Sequence, residues 1–453
     1  MNVTFAFTET VWDQLTAVLE DPREVAGIIT ARIADGPAGL TVLASVVSWA
    51  PADAYLDRQS DGLQLRSDGW VPAVRAVLRD GGTPVFMHTH PRGQAEFSRY
   101  DDTVDDLMLD AVRRMGGDGS YGSLVLAGTL REPAVAGRLF LGETVARAEK
   151  FRIAGNRLRL LLPRTAATPD SDIFDRQIRV FGEAGQEVLN ALNAAVIGAG
   201  GTGSATAEQL ARLGTGAITI VDDDIVTAAT PTRGYGITTA DIGRPKAEVL
   251  AEHLLKTGLS PSITPVIAPI QEPVARTAIA HADIVFSCVD GHGARLVLNR
   301  WAYAHLAPVV DLAVLITANS GDVTGIDARI TWLSPGTACL LCRGRLDPTL
   351  AYAEMLDPAE RKRLAGEGYV PGAGTPQPAV ITFTSLVASL GTTEMLHRLF
   401  GLADPGPSEI LALVRQRELS RNCLSQRAGC FCSDPAFLGR GMQPPYLDLT
   451  WPT

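Results

Sequence analysis

Cysteine is scarce in this chain, with six among 453 residues, too few for a disulfide framework. Aromatic residues make up 6% and charged residues 20%, against 46% apolar residues, a balance that describes folded globular matter and excludes a disordered tail. No uninterrupted apolar run reaches the roughly 18 residues that would suggest a membrane span, so no membrane association is expected. The opening MNVTFAFTETVWDQL has an acidic residue and no basic segment ahead of its short apolar stretch. It does not read as a secretory signal, and a cytoplasmic location is expected. Positive charge is in deficit too: 40 Lys and Arg against 50 Asp and Glu leave a net charge of −10. That argues against a nucleic-acid partner, since affinity for phosphates along a strand needs a cationic face. A local basic pocket for a nucleotide is still possible.

The length suits two or three domains. Residues 1–145 mix β-rich runs (LTVLASVVSW, TPVFMHTHP, GSLVLAGTL, GRLFLG) with helical stretches such as DDTVDDLMLDAVRRM, which predicts an α+β unit. ETVARAEKFRIAGNRLRLLLP is expected to form one helix, followed by RTAATPDSD as a linker; residues 146–169 then connect the two halves. From about residue 190 the order is strand, glycine turn, helix, strand, in NAAVIGAGG, SATAEQLARLG and AITIVDDD. This is a βαβ unit of a parallel sheet. ADIVFSCVD and APVVDLAV supply later strands, so the chain reads as α/β, with a Rossmann-like second domain over 170–440 and a tail over 441–453.

In TPVFMHTHP the alternation of a strand puts His88 and His90 on one face, where two imidazoles can reach one ion. A loop then leads to SRYDDTVDDLMLDAVRRM, with Ser98 at a helix cap and Asp101 in the first turn as a third ligand. Three protein ligands leave an open fourth position, the arrangement of a catalytic zinc. Glu24, in REVAGIIT ahead of a short apolar strand, is the candidate to handle the proton, and Ser98 could donate to a developing oxyanion. Ser98 and Asp101 together also fit a helix-capping arrangement.

HTHP followed by six residues and SRYD resembles the motif of the JAMM (Mov34/MPN/PAD-1) metallopeptidases, and EVAGIIT resembles that family's upstream glutamate strand. The resemblance covers about 140 residues. It implies a zinc-dependent peptidase or isopeptidase acting after the C-terminal glycine of a ubiquitin-like protein. His88, His90 and Asp101 would be ligands, Glu24 the general base and Ser98 the oxyanion helper.

VIGAGGTG places Gly198, Gly200 and Gly203 in G-x-G-x-x-G spacing after a strand, so backbone amides at the next helix can approach phosphates. Asp222 follows Gly203 by 19 residues, where a carboxylate can accept from ribose hydroxyls. These features fit NAD as well as ATP. Arg176 in FDRQIRVFGEAGQ, Arg233 in PTRGYG and Lys246 in IGRPKAE favour ATP, because they suit a reaction that builds negative charge on phosphorus and expels pyrophosphate. Asp290, in FSCVDG at the end of a later strand, could hold magnesium.

The ordered set RQI, GAGGTG, VDDD, TR, RPK and CVD is similar to the ThiF/MoeB family, bacterial relatives of ubiquitin-activating enzymes, over roughly residues 170–435. The resemblance implies adenylation of the C-terminal glycine of a ubiquitin-like or sulfur-carrier protein by a homodimer, with a conjugating-enzyme-like protein as a further partner. Gly198, Gly200, Gly201 and Gly203 would cradle the phosphates, and Asp222 or Asp224 would hold the ribose. Arg233, Lys246 and Asp290 would handle phosphates and magnesium, and Arg176 would reach into the partner subunit's site. One departure is Thr230, where the family has asparagine.

Cys339 and Cys342 have the C-x-x-C spacing of a zinc half-site, and Cys430 and Cys432 offer a second half for a closed, structural site. The family has C-x-x-C at both places, whereas the second pair here is C-x-C, with Cys423 as a possible substitute. Many relatives also use a cysteine before the last helix to accept the activated protein. This chain has none between 342 and 423; Thr375 is the only hydroxyl in the corresponding PGAGTPQPAV. Cys423, a hydroxyl or another protein would then complete the transfer. The competing readings are an NAD-linked oxidoreductase with an inactive N-terminal domain, and a scaffold that binds a ubiquitin-like partner without catalysis.

Overall fold

Alternating apolar residues in the first part of the chain draw their strands into one sheet with a core on each face. The computed structural model describes residues 1–162, 172–319, 322–367 and 378–442. It contains two compact units, one built on Met1–Ala154 and joined by Leu438–Met442, the other built on Thr165–Phe437.

The first unit runs β1 (Val3–Thr8), α1 (Glu9–Ala17), β2 (Ala26–Gly36), β3 (Gly39–Trp49), β4 (Tyr55–Arg58), β5 (Leu63–Leu65), α2 (Val71–Arg79), β6 (Thr83–His90), α3 (Arg99–Arg114), β7 (Ser120–Gly128), β8 (Pro133–Leu141), β9 (Thr144–Arg147), β10 (Lys150–Ala154) and β11 (Leu158–Leu161). Nine of these strands form a sheet in the order β11-β10-β1-β3-β2-β6-β7-β8-β9, while β4 and β5 pair as a separate hairpin. Along β6 the period of two sorts the side chains. Val85 and Met87 join the core that holds Phe5, Trp12 and Leu15 of β1 and α1. Phe86 joins the opposite core, with Val74 of α2 and Met108, Leu109 and Val112 of α3. His88 stacks on Phe86, with ring centroids 5.7 Å apart, so the histidines share the face that α3 covers.

Residues 143–162 do not form the expected helix; they hold β9, β10 and β11. Lys150, Arg152 and Arg159 imitated the polar stripe of a helix, but Phe151 and Ile153, then Leu158 and Leu160, repeat with period two. Residues 155–157 form a bend between the two runs. KFRIA is buried throughout and pairs in parallel with β1, Phe5 opposite Phe151. A strand buried on both faces can be recognised only through its long-range partners. The remainder of the expected linker, Thr375 with the surrounding 368–377, and the tail from 443 lie outside the described residues.

The second unit runs α4 (Asp175–Ala191), β12 (Asn193–Ile197), α5 (Gly201–Arg212), β13 (Ala217–Val221), α6 (Lys246–Leu255), β14 (Ser262–Val266), α7 (Pro273–Ala278), β15 (Ile284–Ser287), α8 (His292–Ala304), β16 (Val309–Asn319), β17 (Asp322–Leu333), α9 (Pro348–Met355), α10 (Pro358–Gly366), α11 (Ile381–Phe400), β18 (Glu409–Leu413) and β19 (Glu418–Asn422). The sheet order is β14-β13-β12-β15-β16-β17-β18-β19. Its first five strands are parallel and its last three add antiparallel. This is a Rossmann-like mixed α/β sheet. The strand order reverses between β12 and β15, so the crevice beyond their carboxyl ends is where such sheets bind ligands. Among the described residues, no helix is long and apolar enough to cross a membrane.

Candidate functional site

In the first unit His88 and His90 end β6, and Asp101 sits in the first turn of α3. Ser98 caps that helix: its Oγ accepts the Asp101 N–H at 3.2 Å, and the Asp101 carboxylate accepts the Ser98 N–H at 2.6 Å. This reciprocal box turns Asp101 toward the strand. The carboxylate lies 3.0 Å from His88 Nε2 and 3.8 Å from His90 Nε2. The two Nε2 atoms are 3.1 Å apart, and the three ligand atoms lie within 4.8 Å of one another. His90 Nδ1 is 3.1 Å from the Gln94 carbonyl; an N–H there leaves the Nε2 lone pair facing its neighbours. Two nitrogen lone pairs and a carboxylate converging on one point suit a divalent cation.

Burial pushes the Asp101 carboxyl up, but the hydrogen bond and charge of His88, with the Ser98 bonds, hold it well below the usual carboxylate range. Burial and the neighbouring His88 lower His90. Glu24 is buried just ahead of β2, whose Ala26 pairs with His88. Burial raises its carboxyl to about 7 despite the opposing influence of His88. The β4–β5 hairpin fixes its backbone: Glu24 N–H donates to the Gln59 carbonyl at 2.7 Å, and Arg58 Nε donates to the Glu24 carbonyl at 2.7 Å.

In the second unit β12 ends in a turn that only glycine can make. Gly198 has φ of 94°, and a Cβ there would stand 2.7 Å from the Cys288 carbonyl. At Gly203 a Cβ would fall 1.6 Å from the Gly198 carbonyl. The loop between them opens α5, with Gly200 as its cap and Gly201 as its first residue, which presents free backbone N–H groups to the crevice.

Asp222 braces this loop from the end of β13. Its carboxylate accepts the Ala199 N–H at 2.5 Å and the Asp224 N–H at 2.8 Å. Burial raises its carboxyl. Each oxygen keeps a second lone pair for a ribose hydroxyl. Lys246 opens α6 and reaches Asp224 at 2.6 Å. Arg233 donates to the Ala229 carbonyl at 3.2 Å, and its loop is tied to α5 because the Tyr235 N–H donates to Ser204 Oγ at 2.9 Å. Thr230 is buried and accepts the Thr227 N–H at 2.9 Å, so its hydroxyl closes the local turn. Asp290 is exposed three residues beyond the end of β15, and two past Cys288, whose carbonyl abuts Gly198. The carboxylate is a hard oxygen donor, as magnesium requires.

Arg176 is not brought to this loop. It lies exposed in the first turn of α4, whose neighbouring Gln177 bonds the Arg212 carbonyl at 2.8 Å. Arg212 is at the far end of α5, roughly 18 Å from the glycine loop at 1.5 Å per residue.

Farther along, the sulfurs of Cys339, Cys342, Cys430 and Cys432 lie within 4.8 Å of one another. Cys339 and Cys430 are 3.6 Å apart, as are Cys342 and Cys432. Sharing protons lowers Cys339 to about 5, chiefly through the hydrogen bond from Cys432, while burial raises Cys430 to about 11. Four thiols this close can ionise together only around a cation, which fits a closed thiolate site. Cys423 is exposed and outside the group.

A family model described as "ThiF family" matches residues 174–428, more than half of the chain. The chain belongs to the ThiF family. Its ThiF region is 31% identical over 177 residues to the molybdopterin-synthase adenylyltransferase of Escherichia coli, covering 38% of this chain and 68% of that protein. It is 29% identical over 201 residues to the adenylyltransferase and sulfurtransferase UBA4 of Yarrowia lipolytica, covering 44% and 46%. Against the sulfur carrier protein ThiS adenylyltransferase of E. coli it is 31% identical over 164 residues, covering 36% and 62%. This chain thus spans less than two thirds of the latter two. The ThiF match begins after the first unit and stops just short of Cys430 and Cys432.

The ThiF unit also holds groups that motif reading passed over. Asp311 of β16 is fully buried and accepts from Ser287 Oγ at 2.8 Å, Arg295 Nε at 3.2 Å and Arg329 at 2.6 Å. Burial alone would raise its carboxyl, but the two guanidinium groups hold it below the usual range. Arg295 also donates to the Asp290 carbonyl at 3.4 Å, which links this network to the crevice. The signal in the sequence was one acidic residue inside the apolar strand VVDLAV, which demands a buried partner. Cys288 lies under the glycine loop, where burial pushes its thiol up to about 12; it is a poor nucleophile.

Proposed function

We propose that this chain uses ATP to adenylate the C-terminal glycine of a small ubiquitin-like or sulfur-carrier protein, and that its first unit is a JAMM-type zinc peptidase acting on the same partner. The observation that carries the first half is the glycine loop braced by Asp222, with Lys246 beside it and Asp290 across the strand-order reversal. A substrate carboxylate oxygen attacks the α-phosphorus while the bond to the β-phosphate breaks and pyrophosphate leaves. Loop N–H groups and the cations of Arg233 and Lys246 stabilise the charge on the departing phosphates. Magnesium, held by Asp290, would supply further charge neutralisation. Arg176 would serve the site of a second copy in a homodimer, in keeping with its distance from its own loop.

In the first unit His88, His90 and Asp101 would hold zinc, which supplies Lewis acidity at the scissile carbonyl. Glu24 would take the proton from the attacking water and pass it to the leaving amine. Ser98 Oγ accepts from Asp101 N–H, so its own proton is free to meet an oxyanion. Placing both reactions in one chain raises the local concentration of each site for a shared protein.

Intact-mass analysis tests the adenylation. A glycine-ending partner incubated with the chain and MgATP is expected to gain the mass of an AMP group. If a panel of such proteins shows no adduct and none supports ATP–pyrophosphate exchange, the reading is wrong.

The thiolate cluster would hold a second, structural zinc, making two per chain. Cys432→Ser should reduce zinc to one per chain and lower the unfolding midpoint of the ThiF unit, because metal binding to such a site is folding free energy. Elemental analysis beside a thermal melt reads both, and an unchanged zinc count would remove the assignment.

A further inference from the structure

His88 and His90 are fixed by a central strand, but Asp101 is placed only if α3 starts at the right depth and rotation. One side chain across the sheet grips that start at three points. Arg138 of β8 donates from Nε to Asp105 at 2.5 Å and from a terminal nitrogen to Asp102 at 2.7 Å. Its guanidinium also lies over the ring of Phe97, 3.9 Å from the centroid, and Phe97 immediately precedes the Ser98 cap. Asp105, 2% exposed, takes a further bond at 2.9 Å from the Tyr121 hydroxyl of β7. Asp105 lies four residues after Asp101, so the two carboxylates point from the same side of the helix. Fixing one sets the rotation of the other.

Resting on the reading that His88, His90 and Asp101 bind zinc, we propose that Arg138, with Asp105 as its buried counter-ion, is the positioning residue of the metal site. It acts through α3: it holds Phe97 just before the cap, Asp102 beside the ligand Asp101 and Asp105 in the next turn in one rigid arrangement. A buried ion pair contributes little net stability because desolvation offsets the attraction, yet it tolerates only one geometry. An apolar side chain at 138 could fill the space and seal the core without setting that geometry. Groups that orient ligands from behind typically alter metal affinity 10- to 100-fold when removed.

The test measures zinc retention in the full-length protein against a graded competing chelator, with thermal melts of the zinc-stripped first unit's transition alongside. Wild type should hold two zinc ions, one of them lost on removing His88. In Arg138→Met, which keeps an apolar stem over Phe97, affinity at the histidine site should fall about 10- to 100-fold, while the thiolate-bound zinc and ATP–pyrophosphate exchange remain. Arg138→Lys keeps the charge but cannot bridge two carboxylates, and should fall in between. Wild-type zinc affinity in Arg138→Met overturns the proposal. A wild-type protein with no zinc at the histidines overturns the metal reading itself, a different result. Should Arg138→Met fail to fold, Asp102→Asn removes only the exposed arm. A few-fold weaker zinc site at an unchanged melting temperature then supports the proposal, and unchanged affinity overturns it.

Discussion

Asp290→Asn should lower ATP–pyrophosphate exchange by a hundred- to a thousandfold or more while leaving peptidase activity at the wild-type rate. The expected size follows from the loss of a metal-holding carboxylate where charge develops on the phosphates, since removing one well-placed electrostatic group from such a site typically costs that much. Asparagine keeps the shape, and the bond from Arg295 goes to the backbone carbonyl of residue 290, so the loop conformation should survive. Asp290 is exposed, and its replacement leaves no buried partner unpaired. The measurement is exchange of labelled pyrophosphate with a glycine-ending partner, beside cleavage of a fusion after that glycine. Loss of both activities together would sink the two-site reading.

Glu24→Gln should reduce cleavage by about two to four orders of magnitude, the usual contribution of a positioned general base, with both zinc ions retained and adenylation intact. The amide preserves the volume of a buried side chain, and the hairpin bonds to residue 24 use its backbone, so the substitution removes proton transfer and little else. Cleavage rates beside zinc content decide it. Near-wild-type cleavage would exclude Glu24 as the base, whereas loss of zinc would make it a ligand.

The parts of both sites that could be read from sequence are local. His88 and His90 share a face because strands repeat every two residues, and Ser98 with Asp101 announces a helix start within four residues. The glycine loop, Asp222 and Lys246 follow one another along a βαβ unit. What escaped depends on partners far along the chain. β10 looks helical until β1, some 145 residues earlier, is placed beside it. Arg138 is a lone charge in the otherwise apolar strand PAVAGRLFL until α3 brings Asp102 and Asp105 to it. Asp311 was conspicuous in VVDLAV, but Arg295 and Arg329 as its counter-ions, 16 and 18 residues away, follow only from the β16–β17 register and the return of α8. Arg176 is a different case: the family resemblance assigned it to the site of a second copy, and in the fold it lies exposed in α4, away from the glycine loop of its own subunit.

The four thiolates have a consequence for chain topology. With one ion on Cys339, Cys342, Cys430 and Cys432, everything from residue 343 to residue 429 becomes a closed ring, including α9, α10, α11 and the hairpin of β18 and β19. By the loop-closure relation used for covalent cross-links, a ring of that size withdraws about 4 to 5 kcal/mol of freedom from the unfolded chain. It also means that the backbone can be severed anywhere within the ring without separating the two fragments. The metal clasp, and not chain continuity, would then hold the last strands of the ThiF sheet to the first.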